Sequence, residues 1–402
     1  MPTPHDPTEA SPSPSHEPIP AVVMGGSGYV AGELIRLLLA HPRFSLAAVA
    51  STSQVGEQVC ASFPHLAGTA ADALRFVSQG ALVERLASGA PLALFAATPH
   101  GATAGLLAPI LAAAEKQGAA LRVVDMSADF RLADAAEYAT LYGQPHAAPE
   151  RLCDFVCAVP EHFVGVPLRH AAQPGCFTTA VTLAAYPFVA LGLVDGPVFA
   201  SAVTGSSGSG RKLGAGTHHP ARHSTLFAYS ALTHRHEAEM RLLLTRGRRG
   251  ATSDAVHHAP VNAAVDHHAT GHGALDHHAP APAAAIEVEF VPHSGPFVRG
   301  IHATLRLTLA REVAAADLCL RVNAFYAKSP FVSASLESPK LTDVVGSNRC
   351  RLGIATRGRT LIVTSVIDNL IKGAAGGGVQ WMNRMFGLAD DVGLTSAGLG
   401  WY

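Results

Sequence analysis

The sequence predicts an α/β protein in two parts: an N-terminal parallel sheet of βαβ units, then an α+β domain with a mixed sheet. Three observations predict it. Short apolar runs alternate with segments whose apolar residues recur at helical spacing, the pattern of parallel strands covered by helices. A glycine-rich turn, "GGSG", joins the first run to the first helical segment. After about residue 160 the strands become ones in which apolar and polar residues alternate, as in a sheet with one covered face.

The first strand is the apolar run Ala21–Met24, and Glu33–Leu39 continues as a helix that His41-Pro42 ends. "FSLAAVAST" (44–52), "PLALFAATPHG" (91–101) and "LRVVDMSADFR" (121–131) supply further strands. In the second part, "PVFASAVTGSSGSGRK" is a strand running into a glycine loop, and 284–310 hold two strands. In the latter, Ile301, Ala303, Leu305, Leu307 and Leu309 share one face, against His302, Thr304, Arg306 and Thr308. The segment 368–388 reads as a helix returning to the first domain. The expected organisation is a disordered Pro/Ser-rich tail (1–18), a nucleotide-binding domain (19–164), an α+β catalytic domain (165–366) and a C-terminal return (367–402). Within the second domain, 246–285 is Ala/His-rich, with "VHHAP", "DHHAT" and "DHHAP" starting at 256, 266 and 276. It reads as a disordered surface insertion; the alternative is a tract that chelates Zn²⁺ or Ni²⁺ adventitiously, since nothing fixes its geometry.

A chain of 402 residues with 48% hydrophobic and 15% charged residues can bury two cores. Its net charge of −1 offers no polyanion-binding surface, so nucleic acid is not expected as a partner. No apolar run approaches the roughly 18 residues of a membrane span. The N-terminal segment lacks the basic and apolar regions of a secretory signal, and its acids and lack of Arg argue against a transit peptide. Six cysteines are too few for a disulfide scaffold, and a cytoplasmic setting is expected. Cys153 and Cys157 form C-x3-C without a matching pair and read as ordinary semi-buried residues; no metal site is expected.

"GGSGYVAGE" fits a dinucleotide loop in two registers, Gly26-x-Gly28-x-x-Ala31 or Gly25-x-x-Gly28-x-x-Ala31. Such glycines allow a tight turn and close approach of a pyrophosphate to a helix N-terminus. Gly25, Ser27, Gly28, Tyr29 and Val30 are the candidate contacts. The second strand ends in "ASTSQVG" (50–56), with no carboxylate to repel a 2′-phosphate. Ser51 and Thr52 can donate to one, which favours NADP over NAD, although no Arg stands nearby in sequence.

Cys176 stands where a helix should begin, after Pro174-Gly175. A helix N-terminus lowers a thiol pKa and offers backbone N–H groups to an oxyanion. On these residues alone, a small packed side chain and a nucleophile both remain open. "GSSGSGRK" (205–212) adds a glycine loop, with Gly208 and Gly210 able to admit a ligand and Arg211 and Lys212 as anion partners; its bland reading is a flexible basic turn. "THRHEAEM" (233–240) places His234 and His236 at the head of a helix, where two residues so spaced do not face the same way. "VPHSGPFVRGIHAT" (291–304) is an irregular hairpin with Arg299 near its end.

Together, "GGSGYVAGEL", "PGCFTTA", "SSGSGRK", "HRHEAEM", "VPHSGPFVRGIHAT" and "DNLIKGAAGGGVQ" resemble, in order, the motifs of the N-acetyl-gamma-glutamyl-phosphate reductases, within the aspartate-semialdehyde-dehydrogenase-like superfamily. The resemblance spans about residues 20–402, less the insertion. It implies a Rossmann domain that binds NADP, a catalytic and dimerisation domain, and a homodimer or homotetramer. It implies reduction of N-acetylglutamyl phosphate to the semialdehyde and inorganic phosphate in arginine biosynthesis. It further implies Cys176 as nucleophile, His236 as acid/base with His234 second, and Asn369 near the nicotinamide amide. Arg131, Arg211, Lys212 and Arg299 would meet substrate. Related acyl phosphates, N-acetyl-aminoadipyl and aspartyl, stay as alternatives, as does a non-catalytic NADP- or metal-binding module. The chain departs from the family pattern at Gln173, Ala238 and Phe297-Val298.

Overall fold

A computed structural model describes residues 17–86, 91–167, 169–252 and 285–401. The first sheet contains β1 (Ile19–Met24), β2 (Phe44–Ala50), β3 (Phe76–Val77), β4 (Leu92–Ala96), β5 (Leu121–Asp125), β6 (Phe155–Cys157) and β7 (His170–Ala172). They lie parallel in the order β3-β2-β1-β4-β5-β7-β6. Alternate residues feed two cores: Ala21, Val23, Ala93 and Phe95 pack on one face, and Val22, Met24, Leu94 and Ala96 on the other. That is why these strands read as continuous apolar runs. The order turns outward on either side of β1 and β4, and a crevice opens at their carboxyl ends.

The second sheet contains β8 (Val194–Thr204), β9 (Phe227–Ala228), β10 (Val288–Ser294), β11 (Ile301–Leu309), β12 (Val332–Ser335), β13 (Cys350–Arg357) and β14 (Thr360–Ile367). Its order is β12-β13-β14-β11-β8-β10-β9, and it is mixed: β8/β10 and β12/β13 are parallel and the other pairs antiparallel. Ile301, Ala303, Leu305, Leu307 and Leu309 join one core with the helix Cys176–Ala190. Burial of each large aliphatic side chain there contributes roughly 1.5–3 kcal/mol. The opposite face is open: Arg306 is exposed and Phe199 is 37% exposed.

Two boundaries differ from the sequence reading. β7 belongs to the first sheet, pairing with β5 and β6, so the first domain runs past 164 to about 172. Three residues carry no periodicity from which to read a strand. The helix His236–Thr252 takes in 246–252, which were expected in the disordered insertion. Arg246 Nη1 donates to Cys157 O at 2.9 Å, and Gly247 lies under the Tyr186 ring, so packing holds that end. Residues 253–284, with the His repeats, and the tail 1–16 lie outside the described residues.

After β14 the chain crosses back to the first domain. A π-helical turn, Ile371–Ala375, leads into the helix Gly376–Met385, whose Trp381 is fully buried and donates to Ala158 O. The crossing places residues 368–377 between the two sheets.

Candidate active site

The glycine loop sits at the β1/β4 crevice. Gly25 has φ +86°, and a Cβ there would stand 2.6 Å from the Ala97–Thr98 backbone, so only glycine fits. Gly28 caps the helix Tyr29–Leu39, and a Cβ on it would meet no protein atom within 4 Å. Ala31 is fully buried. Gly25 and Gly26 are both too closely packed for a Cβ, Gly28 is open and Ala31 is buried; the positive φ of Gly25 favours the second register. Tyr29 is 41% exposed beside the loop, with Val30 half-buried. Ser51 is buried at the end of β2, where its Oγ accepts from Ser53 N, and Thr52 is exposed. An arginine does reach this region: Arg75, preceding β3, donates to Gly56 O at 2.8 Å. Sequence distance hid it; the β2/β3 pairing supplies it. These residues suit an NADP pyrophosphate and a 2′-phosphate.

The loop at 205–210 closes the second-domain side. Ser207 N donates to Val298 O, and Asn369 ties the two segments, accepting from Gly300 N at 2.7 Å and donating to Ser207 Oγ at 3.0 Å. Gly208 and Gly210 are exposed. Arg211 reaches across the cleft to Ser27 O at 3.2 Å, its guanidinium over the Phe63 ring, and Lys212 is exposed. Arg299 also joins the domains: it pairs with Glu33 on the glycine-loop helix at 2.6 Å and with Asp368 at 3.0 Å. Both of its charged neighbours are therefore protein carboxylates.

Cys176 opens the helix Cys176–Ala190, with Gly175 as its N-cap. Beneath it lies a buried ion pair. Arg131 bonds Glu239 at 2.9 Å and also donates to Gln173 O and Met126 O. Glu239 in turn accepts from Gly175 N and from Thr178 Oγ1, both at 2.9 Å. Burial pushes the Glu239 carboxyl up, but Arg131, His236 and the Gly175 N–H more than offset this and hold it at about 2. Sequence reasoning did not single out Glu239; the register of "HRHEAEM", one helical turn after His236, is the signal that could have.

The His236 imidazole packs over Gly175, where a Cβ would collide with it, and its buried Nδ1 has no partner. His234 precedes the helix, so helical spacing does not govern it, and the two imidazoles lie 4.7 Å apart beside Phe177. Burial holds His236 at about 3 and His234 at about 4, so both are neutral. The expected low thiol pKa does not appear. Burial pushes Cys176 up to about 11, and Arg131 and the Phe177 N–H only partly counter it. Desolvation outweighs the helix N-terminus.

The π-helical turn forms the facing wall. A Cβ on Gly373 would stand 2.7 Å from that of Cys176, and the preceding Lys372 is fully buried against Glu161 at 2.5 Å and Gln380 at 2.8 Å. Gln173 lies flat on Gly377 with its Oε1 unpartnered. Cys153 is exposed and Cys157 buried, and the described residues hold no cluster of three or more potential metal ligands.

The fold and cleft define a two-domain nicotinamide-dependent oxidoreductase. Residues 20–163 match the family model "Semialdehyde dehydrogenase, NAD binding domain", and 176–267 with 264–369 match "Semialdehyde dehydrogenase, dimerisation domain". The chain is 37% identical to an N-acetyl-gamma-glutamyl-phosphate reductase of Pseudomonas putida, covering 94% of this chain and 98% of the relative. It is 36% identical to that of Azotobacter vinelandii, at the same coverage. Aspartate semialdehyde dehydrogenase II from Vibrio cholerae, complexed with ASA, shares the fold at TM-score 0.61 and 14% identity, over 92% of this chain and 99% of that one. So does the Candida albicans aspartate semialdehyde dehydrogenase with NADP, at 0.59 and 16%, over 94% and 100%. The chain belongs to the N-acetyl-gamma-glutamyl-phosphate reductase family of semialdehyde dehydrogenases.

Proposed function

We propose that this protein reduces N-acetyl-γ-glutamyl phosphate to the semialdehyde and phosphate with NADPH, through a thioester on Cys176, as a step of arginine biosynthesis. The observation that carries the reading is the placement of Cys176 at a helix start, under a neutral His236 and facing the cleft that the glycine loop opens. His236 takes the thiol proton as sulfur attacks the acyl carbon, and the C–O bond to phosphate breaks with its electron pair leaving on phosphate. Coupling proton transfer to attack suits a thiol that burial keeps protonated. NADPH, when bound, supplies the hydride that reduces the thioester carbonyl. As the C–S bond breaks and the aldehyde leaves, His236 returns the proton to sulfur.

Other residues support this chemistry. Gly25, Ser27, Gly28, Tyr29, Val30, Ser51 and Thr52 hold the cofactor; Gly208, Gly210 and Asn369 close over it. Lys212 faces departing phosphate, with Arg211 above the glycine loop. Arg131 and Arg299 act as positioning residues, since protein acceptors already engage them. The open face of the second sheet is the surface for homo-oligomer formation, and six free thiols suit a cytoplasmic setting. The test is phosphate-dependent NADP⁺ reduction with N-acetylglutamate semialdehyde. Wild type should turn over, and Cys176→Ala should lose at least about a thousandfold, some 4 kcal/mol of barrier. Turnover by Cys176→Ala sinks the scheme.

A further inference from the structure

The mechanism leaves an arginine beside the site histidines unassigned. Arg235 lies between His234 and His236, is exposed, and stacks on the Tyr142 ring at 5.1 Å. No carboxylate of the described residues pairs with it. The acids that act on neighbouring His100 are engaged elsewhere: Glu239 serves Arg131, Gly175 and Thr178, while Asp129 accepts from Gly101 N, Ala104 N and Tyr138 Oη. The tyrosine ring holds the guanidinium in place by a cation–π contact, and its N–H groups remain available to an oxyanion.

Its surroundings belong to the site. His100, on the loop after β4, accepts from Ala128 N through Nδ1, which leaves Nε2 as its donor. Burial and then the charges of Arg131 and Arg235 hold it neutral, at about 4. Tyr142 and His234 also feel the Arg235 charge. Arg235, Tyr142 and His100 thus form a cationic, donor-bearing rim outside the two histidines. A substrate held with its acyl carbon at Cys176 carries its phosphate at that carbon and its α-carboxylate at the far end of a three-carbon chain. The anion that reaches a rim beyond the histidines is the carboxylate.

Resting on the functional reading above, we propose that Arg235 is the specificity residue that binds the α-carboxylate of the substrate, with His100 and Tyr142 completing the subsite.

The reverse reaction separates the two anions, because aldehyde and phosphate are then independent substrates. Arg235→Gln should raise KM for N-acetylglutamate semialdehyde about 10- to 100-fold, as expected when a charge-assisted hydrogen bond is lost. KM for phosphate should not move, and kcat should stay within about threefold, since no reacting group changes. The α-carboxamide of the aldehyde should be a correspondingly poor substrate for wild type, and the variant should not discriminate between the two. A raised KM for phosphate with an unchanged KM for aldehyde overturns the assignment and gives Arg235 to the phosphate. Binding of N-acetylglutamate, followed by thermal shift, gives an answer independent of turnover. Stabilisation of wild type but not of Arg235→Gln supports the subsite even if wild type proves inert and the functional reading falls. Equal stabilisation of both proteins overturns it.

Discussion

Arg131 and Arg235 both lie near the site histidines and share little beyond their side chain. Arg131 is 5% exposed, and its donors go to Glu239, Gln173 O and Met126 O. Arg235 is exposed, rests on one tyrosine ring and has no acidic partner among the described residues. The difference separates two tasks. Beneath the thiol, charge is neutralised within the protein, and the ion pair fixes Gly175 and Thr178 at the start of the catalytic helix. At the rim, charge is left uncompensated, the condition for binding an anion. Substitutions in the floor should therefore cost stability and kcat, whereas those at the rim should cost KM alone.

The strongest attempt to break this contrast is Glu239→Gln. It leaves Arg131 charged in a dry site, so unfolding free energy should fall by about 3–5 kcal/mol. Turnover should fall with it, because Gly175 N–H and Thr178 lose an ionised acceptor. Denaturant titration beside kcat measures both. A variant as stable as wild type would mean the floor is not a closed ion pair. Next in size, His236→Gln should cut kcat by about 10²- to 10⁴-fold while leaving NADP binding intact. If KM for the aldehyde changes and kcat does not, His236 belongs with the rim.

Acid should act through the buried histidines before it reaches the Glu239 carboxylate. His236 and His162 are held at about 3, and His234 and His170 at about 4, chiefly by burial. Unfolded histidine titrates near 6.5, so between about 6.5 and 4 the unfolded chain takes protons that the native state refuses. Stability then falls as pH falls, by up to about 1.4 kcal/mol per pH unit for each such histidine. The Glu239 contribution is present above about 4.5 and is lost only as pH drops from there towards about 2. Denaturation midpoints from pH 8 to 4 should decline from near 6.5. A curve flat down to 4.5 would show that these histidines are not held neutral.

How far the sequence was legible follows the same division. The parallel strands, the alternation of β11, the glycine loop and the placement of Cys176 could be read because each leaves a local pattern. β7 and the reach of Arg75 to Gly56 could not, because both depend on strand neighbours distant in sequence. The pairing of Arg131 with Glu239 spans 108 residues and has no local signature. The thiol pKa was misread for a related reason. The helix N-terminus is visible in "PGCFTTA", but desolvation depends on Gly373 and the π-helical turn, which arrive from the far end of the chain. Arg235 stood inside a quoted motif, yet only the folded positions of the other arginines distinguish it as unengaged.

The glycine loop repeats the contrast at smaller scale and gives the gentlest test. Gly25 is committed to the protein, with φ +86° and the Ala97–Thr98 backbone against its missing Cβ. Gly25→Ala should therefore cost about 1–3 kcal/mol of stability as well as NADP affinity. Gly28 is open, with an extended φ of −83° that alanine adopts freely. Its replacement by alanine loses a tolerated N-cap but also restricts the unfolded chain, two effects that nearly cancel, so stability should stay within about 1 kcal/mol. The added methyl faces only the space where a pyrophosphate approaches, and NADP affinity should fall while Tm holds. Titration calorimetry with NADP⁺ beside thermal unfolding reads both quantities. If Gly28→Ala binds NADP⁺ as wild type does, the cofactor's phosphates do not approach this turn, and the register Gly25, Gly28, Ala31 describes packing alone.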